Sequence, residues 1–147
     1  MKNKIVLIAG PTASGKSSLA NTLAKKIDGE IVNADSMQIY KDLEILTARP
    51  KPKKNDPNHH LYGFVNGEEL WSVGKWINEA KKVTEKILRK NSIPIIVGGT
   101  GLYFKAITDG LSPIPDINQE IRDNLKEELN SKGLENLYNE LKFIDIK

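Results

Sequence analysis

The sequence predicts a parallel α/β fold, one sheet of short buried strands with helices packed on its faces. Three observations carry this expectation. The runs Ile5-Val6-Leu7-Ile8-Ala9 and Ile93-Pro94-Ile95-Ile96-Val97 are apolar at successive positions and rich in β-branched residues, the pattern of strands covered on both faces. Each run closes on glycine, Gly10 in the first and Gly98-Gly99 in the second. Between and after them, apolar residues recur at three- and four-residue spacing, so helices alternate with strands through right-handed crossovers.

The elements follow in order. After the strand at 5–9, Leu19, Ala20, Leu23, Ala24 and Ile27 share one face and predict a helix over 16–26, with Gly29 as its stop signal. Glu30-Ile31-Val32-Asn33 reads as a second strand ending at Ala34-Asp35-Ser36, with a short helical turn from Met37 to Tyr40. Residues 47–60 carry three prolines among Lys and Asn and few apolar side chains, so a loop is expected there, His59 and His60 included. Leu61 to Val65 is expected as a short edge strand. Ser72 then caps a long helix reaching about Lys90, with Val73, Trp76, Ile77, Ala80, Val83, Ile87 and Leu88 on one face. The strand at 93–97 tolerates Pro94 because it lies near the first residue, where a missing donor matters least. A helix starts near Thr100; beyond the Pro113/Pro115 break another covers 118–132, with Ile121, Leu125 and Leu129 spaced by four. No internal repeat is present.

Composition bounds what such a chain does. A length of 147 residues suits one domain, and 39% hydrophobic with 28% charged residues is a globular balance. The absence of cysteine excludes disulfide scaffolds, thiolate catalysis and cysteine-based metal sites. A net charge of +3 permits an anionic partner without demanding one. No window approaches the roughly eighteen apolar residues of a membrane span. The basic start Met1-Lys2-Asn3-Lys4 leads into a run that breaks at Gly10 without a cleavage pattern, so a cytoplasmic protein with no membrane partner is expected.

The chemistry concentrates in Gly10-Pro11-Thr12-Ala13-Ser14-Gly15-Lys16-Ser17, which fits the phosphate-loop pattern of glycine, four residues, glycine, lysine and a hydroxyl residue. Glycines let the backbone curl so that N–H groups converge on phosphate oxygens. The helix beginning near Lys16 adds its positive dipole end, and Lys16 adds a full charge. Ser17 is placed to ligate a Mg²⁺ shared with the phosphates. The sheet is thus expected to be P-loop NTPase-like. Its later strand ends in Val97-Gly98-Gly99 without the metal-reaching carboxylate of nucleotide hydrolases. The strand-end acid is Asp35, on the same carboxyl edge as the loop. It could take a proton from an acceptor nucleophile, which points to group transfer, or simply order the turn before Ser36. Gly98-Gly99-Thr100-Gly101 brings a hydroxyl beside the site or forms a plain strand-to-helix turn. Adjacent His59 and His60 point to opposite faces of an extended segment and make a poor metal pair. The basic stretch Arg49 to Lys54 reads as a solvated loop ahead of an RNA contact, and Trp71 and Trp76 as packing residues.

Read in series, this loop, Asn33-Ala34-Asp35-Ser36-Met37-Gln38-Ile39-Tyr40, Thr47-Ala48-Arg49-Pro50, His59-His60-Leu61 and Ile95-Ile96-Val97-Gly98-Gly99-Thr100-Gly101-Leu102-Tyr103 closely resemble the tRNA dimethylallyltransferase (isopentenyltransferase) family. The resemblance implies transfer of a dimethylallyl group from dimethylallyl diphosphate to the exocyclic N6 of the adenosine beside the anticodon, in tRNAs reading codons that begin with U. It implies that residues Gly10 to Ser17 hold the diphosphate, with Lys16 and a Mg²⁺ on Ser17 neutralising the leaving group. Asp35 would take the amine proton, and Asp35, Ser36, Met37 and Gln38 would meet a base drawn from its stack. Thr100, grouped with Asp35 and Lys16 in the catalytic set, and Arg122 would contact the tRNA anticodon stem-loop.

Family members are also longer, continuing into further strands, a helical tRNA-gripping insertion and a basic motif. The resemblance therefore implies the amino-terminal part of the catalytic core, incomplete on its carboxyl-terminal side, with the first strand at an open sheet edge. It leaves open a truncated or split product inactive alone, with its other half encoded separately, as well as prenylation of a free adenine nucleotide. An ATP-binding small-molecule kinase is the reading that the phosphate loop alone would allow.

Overall fold

Strands and helices alternate through the first hundred residues of the computed structural model, which describes residues 4–145 apart from Pro113 and Asp116. They are β1 (Val6–Ala9), α1 (Lys16–Ile27), β2 (Gly29–Asn33), β3 (His59–His60), α2 (Val73–Arg89), β4 (Ile93–Gly98) and α3 (Gly101–Thr108). The sheet runs β1-β4-β2-β3 and every pairing is parallel. This is the expected parallel, P-loop NTPase-like sheet, in which all strands present their carboxyl ends on one edge.

The central pair β2 and β4 are buried along nearly their whole length because both sheet faces are covered. Val32 and Ile96 point into a cluster with Trp76, Ile77, Ala80 and Ile87 of α2 and Tyr103 and Ala106 of α3. Ile31, Ile95 and Val97 face the other way onto Ala20 and Ala24 of α1. Each such aliphatic side chain contributes about 2 kcal/mol by leaving water. Helix α2 starts where Ser72 caps it, the serine Oγ accepting from Lys75 N at 3.2 Å.

Several local expectations are corrected. Gly29 does not stop α1; Asp28 takes the left-handed position, φ 53°. Gly29 instead opens β2, where a Cβ would lie 2.9 Å from the carbonyl oxygen of Ile93 and 2.9 Å from Ile95 Cδ1, so its bareness lets β2 close on β4. His59 and His60 are not loop residues but β3, paired to Ile31 and Val32, with Ile31 N donating to Asn58 O at 2.8 Å. The strand expected over 61–65 is reduced to a single bridge from Val65 to Tyr40, because Leu61 and Gly63 take left-handed backbone (φ 61° and 54°) that a strand cannot accommodate. The helical turn from Met37 to Tyr40 is one hydrogen-bonded turn, since Gly63 and Phe64 N–H groups claim the carbonyls of Gln38 and Ile39. Strand β1 sits at the sheet edge among the described residues, as the resemblance implied, but it is not covered on both faces: Leu7 is 39% exposed, because the side chains of α2 and α3 pack over β2 and β4.

The histidines do point to opposite faces. His59 packs beside Tyr62, with ring centroids 5.6 Å apart, whereas His60 Nε2 lies 2.6 Å from Glu30 Oε2. Lys90 at the end of α2 reaches the other oxygen of Glu30 at 3.1 Å. Glu30 is buried, and burial alone pushes its carboxyl up; hydrogen bonds from His60 and Lys90, with their charges, more than offset this and hold it below the usual 4.5. A carboxylate with a depressed folded-state value stabilises the fold above its unfolded value and loses that contribution as pH falls through the folded one. Glu30→Gln is expected to cost about 1–2 kcal/mol at pH 7 by urea denaturation, with the difference shrinking below pH 4.5. A cost equally large at pH 3 and pH 7 would show that the ion pairs contribute nothing.

The chain divides into two compact units, Met1–Leu111 and Ser112–Lys147. The second holds α4 (Gln119–Lys132) and α5 (Leu134–Ile144). Helix α4 is the one expected, capped by Asn118 Oδ1 accepting from Glu120 N at 3.2 Å, while the proposed break at Pro113 lies outside the described residues. Helix α5 was not expected from the sequence; Gly133, φ 80°, separates it from α4. Among the described residues no helix is long and apolar enough to cross a membrane.

Candidate functional site

Strand β1 delivers the chain to Gly10, and the loop that follows ends where α1 starts at Lys16. Within it Ala13 (φ 62°) and Gly15 (φ 83°) adopt left-handed backbone, the alternation that turns N–H groups toward one side. For alanine this conformation costs of order 1 kcal/mol, strain of the kind that persists at ligand sites. Gly15 occupies the N-cap of α1, which has no side-chain cap, so no side chain competes with an anion for the first N–H groups. Lys16 Nζ and Ser14 Oγ both donate to the carbonyl of Pro11, the latter at 2.8 Å, which folds the lysine over the loop.

The loop forms one wall of a cavity of about 580 Å³. Thr12, Ala13, Ser14, Gly15, Lys16 and Ser17 line that wall; Asp35, Val97 and Gly98 form the strand-end floor; Met37, Gln38, Tyr62 and residues 46–48 close the far side.

Asp35 owes its place to Asn33. The asparagine is fully buried at the end of β2, its Oδ1 accepting from Asp35 N and its Nδ2 donating to the carbonyls of Asp35 and Leu61, all at 3.0 Å. Trp76, stacked on Tyr103 at 4.0 Å, fixes the same residue by donating Nε1–H to Asn33 O at 3.1 Å. Asp35 Oδ1 accepts from Met37 N at 2.9 Å, so the turn-ordering role is real. It occupies one oxygen only. The second, Oδ2, has no hydrogen-bond partner among the described residues, and a Cβ at Gly99 would lie 3.9 Å from it and 3.5 Å from Gly10 O. Bare Gly99 therefore keeps the space between the carboxylate and the start of the phosphate loop free.

The structure thus gathers Lys16, Ser17, Asp35, Met37 and Gln38 around one space. Thr100 is placed differently: its Oγ1 accepts from Ser36 N at 2.9 Å and donates to Ser36 Oγ at 3.3 Å, tying α3 to the segment after Asp35. Gly10, Pro11, Ser36 and Thr100 lie outside the cavity lining, and Arg122 is exposed on α4 in the second unit. Arg49, read as part of a solvated loop, is turned inward, donating from Nη1 to Tyr40 O at 3.0 Å and Lys41 O at 3.3 Å, while Lys51 pairs with Glu44 at 2.8 Å.

Sequence reasoning missed Asn33 as a brace and Tyr62 as a wall. A polar residue closing an apolar strand immediately before a turn was the available signal for Asn33; nothing local marked Tyr62. Burial, and secondarily the charge of Asp35, pushes the Tyr62 phenol up, and Tyr103 is likewise pushed up to about 12 by burial with Tyr40 and Asp35 nearby. Both keep their protons at neutral pH.

A parallel sheet carrying this glycine–lysine–serine turn at its carboxyl edge defines a phosphate-loop α/β protein. Two family models match the chain: IPP transferase over residues 38–147 and isopentenyl transferase over residues 3–65. The chain belongs to the IPP transferase family. It is 50% identical to the tRNA dimethylallyltransferase of Pelagibacter ubique over 147 residues, covering 99% of this chain and 47% of that protein. It is also 50% identical to that of Rhizobium rhizogenes over 141 residues, 95% and 47% of the two chains. Among solved structures, the tRNA isopentenylpyrophosphate transferase of Bacillus halodurans matches with TM-score 0.74 and 34% identity over 99% of this chain and 49% of its own. A eukaryotic dimethylallyltransferase acting on tRNA matches with TM-score 0.81 and 32% identity over 98% and 36%. The chain spans about half the length of the curated relatives it matches.

Proposed function

We propose that the protein transfers a dimethylallyl group from dimethylallyl diphosphate to the exocyclic amine of the adenosine beside the anticodon of tRNA. The observation that carries this reading is a cavity in which a phosphate loop faces a carboxylate with one oxygen uncommitted among the described residues. Membership of the IPP transferase family supports the choice of the two substrates. The loop from Gly10 to Ser17 holds the diphosphate, and Lys16 swings from the Pro11 carbonyl to the phosphate oxygens. The amine nitrogen bonds to the allylic carbon as the carbon–oxygen bond breaks. The diphosphate leaves with the electron pair, and the amine proton passes to Asp35. Met37 and Gln38 line the acceptor side, Ser36 and Thr100 hold the turn behind them, and Arg122 is assigned to the RNA.

The residues present fit a Mg²⁺ held together with the diphosphate. Ser17 would offer a hard hydroxyl oxygen on the cavity, with the diphosphate itself supplying the charged donors, and no cage of three or more acidic or histidine side chains occurs among the described residues. Such an ion supplies charge neutralisation for the departing diphosphate.

Calorimetry tests the two half-sites. Dimethylallyl diphosphate is expected to bind in Mg²⁺, and an anticodon stem-loop to bind the diphosphate-loaded protein. Lys16→Ala is expected to weaken diphosphate binding about a hundredfold, through the loss of charge-assisted hydrogen bonds. Affinity for the stem-loop should stay within about twofold. Undiminished diphosphate binding by Lys16→Ala would remove the loop from the site.

A further inference from the structure

The acceptor side of the cavity is made by residues 37–49, a loop whose tip, Leu46 to Ala48, reaches the space while its ends stay close together. No apolar burial holds that tip: Ile45 and Leu46 are 90% and 82% exposed. Ala48 is left-handed there, φ 49°, a conformation that persists only where the surroundings over-determine it. The restraint is polar. Gln38 Nε2 donates to Thr47 O at 2.9 Å, Arg49 N donates to Glu44 O at 3.0 Å, and the Arg49 guanidinium spans the carbonyls of Tyr40 and Lys41 with Glu44 Oε2 at 3.7 Å. The guanidinium lies against the bare backbone of Gly63, where a Cβ would stand 2.0 Å from Nη1 and 2.6 Å from Cζ. Gly63 itself donates to Gln38 O at 2.9 Å, which joins the two ends of the clasp.

We infer that Arg49, seated on Gly63, is the positioning residue that shapes the acceptor wall of the cavity, and thereby sets affinity for the acceptor base without touching it. The inference rests on the proposed reading of this cavity as a diphosphate site facing an adenine acceptor. Arginine is required over lysine because one planar fork serves two carbonyls and a carboxylate at once, which a single ammonium on a flexible stem cannot reproduce. The phosphate loop lies on the other wall and is held by its own bonds, so the diphosphate half-site is independent of the clasp.

The test compares Arg49→Ala, Arg49→Lys and Gly63→Ala with the wild-type chain. Hydrogen exchange at the amides of Thr47, Ala48 and Gly63 is expected to rise about tenfold or more in all three, while the amides of Ile31 and Ile95 keep their protection. Binding of dimethylallyl diphosphate is expected to stay within about twofold, whereas affinity for an adenosine-bearing anticodon stem-loop falls about tenfold. Unchanged exchange in Arg49→Ala, equal loss of both affinities, or full wild-type behaviour of Arg49→Lys would each overturn the inference. Failure of the wild-type chain to bind any stem-loop would instead sink the acceptor reading, and the clasp would still be decided by the exchange rates.

Discussion

Asp35→Asn is expected to slow dimethylallyl transfer about a thousandfold while dimethylallyl diphosphate binding stays within about twofold of wild type. Asparagine keeps an oxygen at the Oδ1 position, so the hydrogen bond from Met37 N at 2.9 Å and the turn it orders survive. The replacement puts an amide nitrogen at Oδ2, the oxygen without a partner among the described residues, and that nitrogen cannot accept a proton. The side chain also keeps its size beside Gly99, so the cavity does not change shape. Single-turnover transfer and calorimetry on the same preparation separate the two effects. Transfer at the wild-type rate would remove Asp35 as the base, and an equal loss of diphosphate affinity would make it a binding residue.

Gly98→Ala is expected to cost about 4 kcal/mol or more, a large part of the 5–15 kcal/mol that holds a domain of this size together. A Cβ at Gly98 would lie 2.1 Å from both the carbonyl carbon and oxygen of Ala34. Those atoms are backbone and cannot swing aside. Separating them breaks the bonds from Ala34 N to Val97 O at 2.8 Å and from Thr100 N to Ala34 O at 3.2 Å, and with them the junction that places Asp35. Gly101→Ala is the internal control: nothing lies within 4 Å of its Cβ and it opens α3, so stability is expected to hold or rise slightly. Urea midpoints for the two variants check the contrast, and a Gly98→Ala protein as stable as wild type would mean that β2 and β4 do not meet this closely.

What the sequence revealed and what it hid have a common physical cause. Helix α2 was legible because Trp76, Ile77, Ala80 and Ile87 bury one face at helical spacing, and strand β4 because Ile95, Ile96 and Val97 are apolar at successive positions and buried on both faces. The phosphate loop was legible because its chemistry needs those residue types at fixed spacing, and Asp35 because strand ends share an edge. Strand β3 was hidden: two histidines carry no apolar signal, and their strand exists only through pairing with β2 far upstream. The brace by Asn33 depends on Leu61, twenty-eight residues away, and the clasp by Arg49 on the bare backbone of Gly63. Neither is a local pattern. Leu61 and Ala48 adopt left-handed backbone without being glycine, which composition does not announce.

Transfer itself is the measurement nearest the centre of the reading. Labelled dimethylallyl diphosphate, Mg²⁺ and an adenosine-bearing anticodon stem-loop are incubated with the 147-residue chain, and in parallel with this chain extended by the carboxyl-terminal half of the Pelagibacter ubique relative. The expected result is label on the exocyclic amine of that one adenosine, formed by the extended protein and lost when its Asp35 is replaced by asparagine. Binding of both substrates by the extended protein with no label on that amine would contradict it.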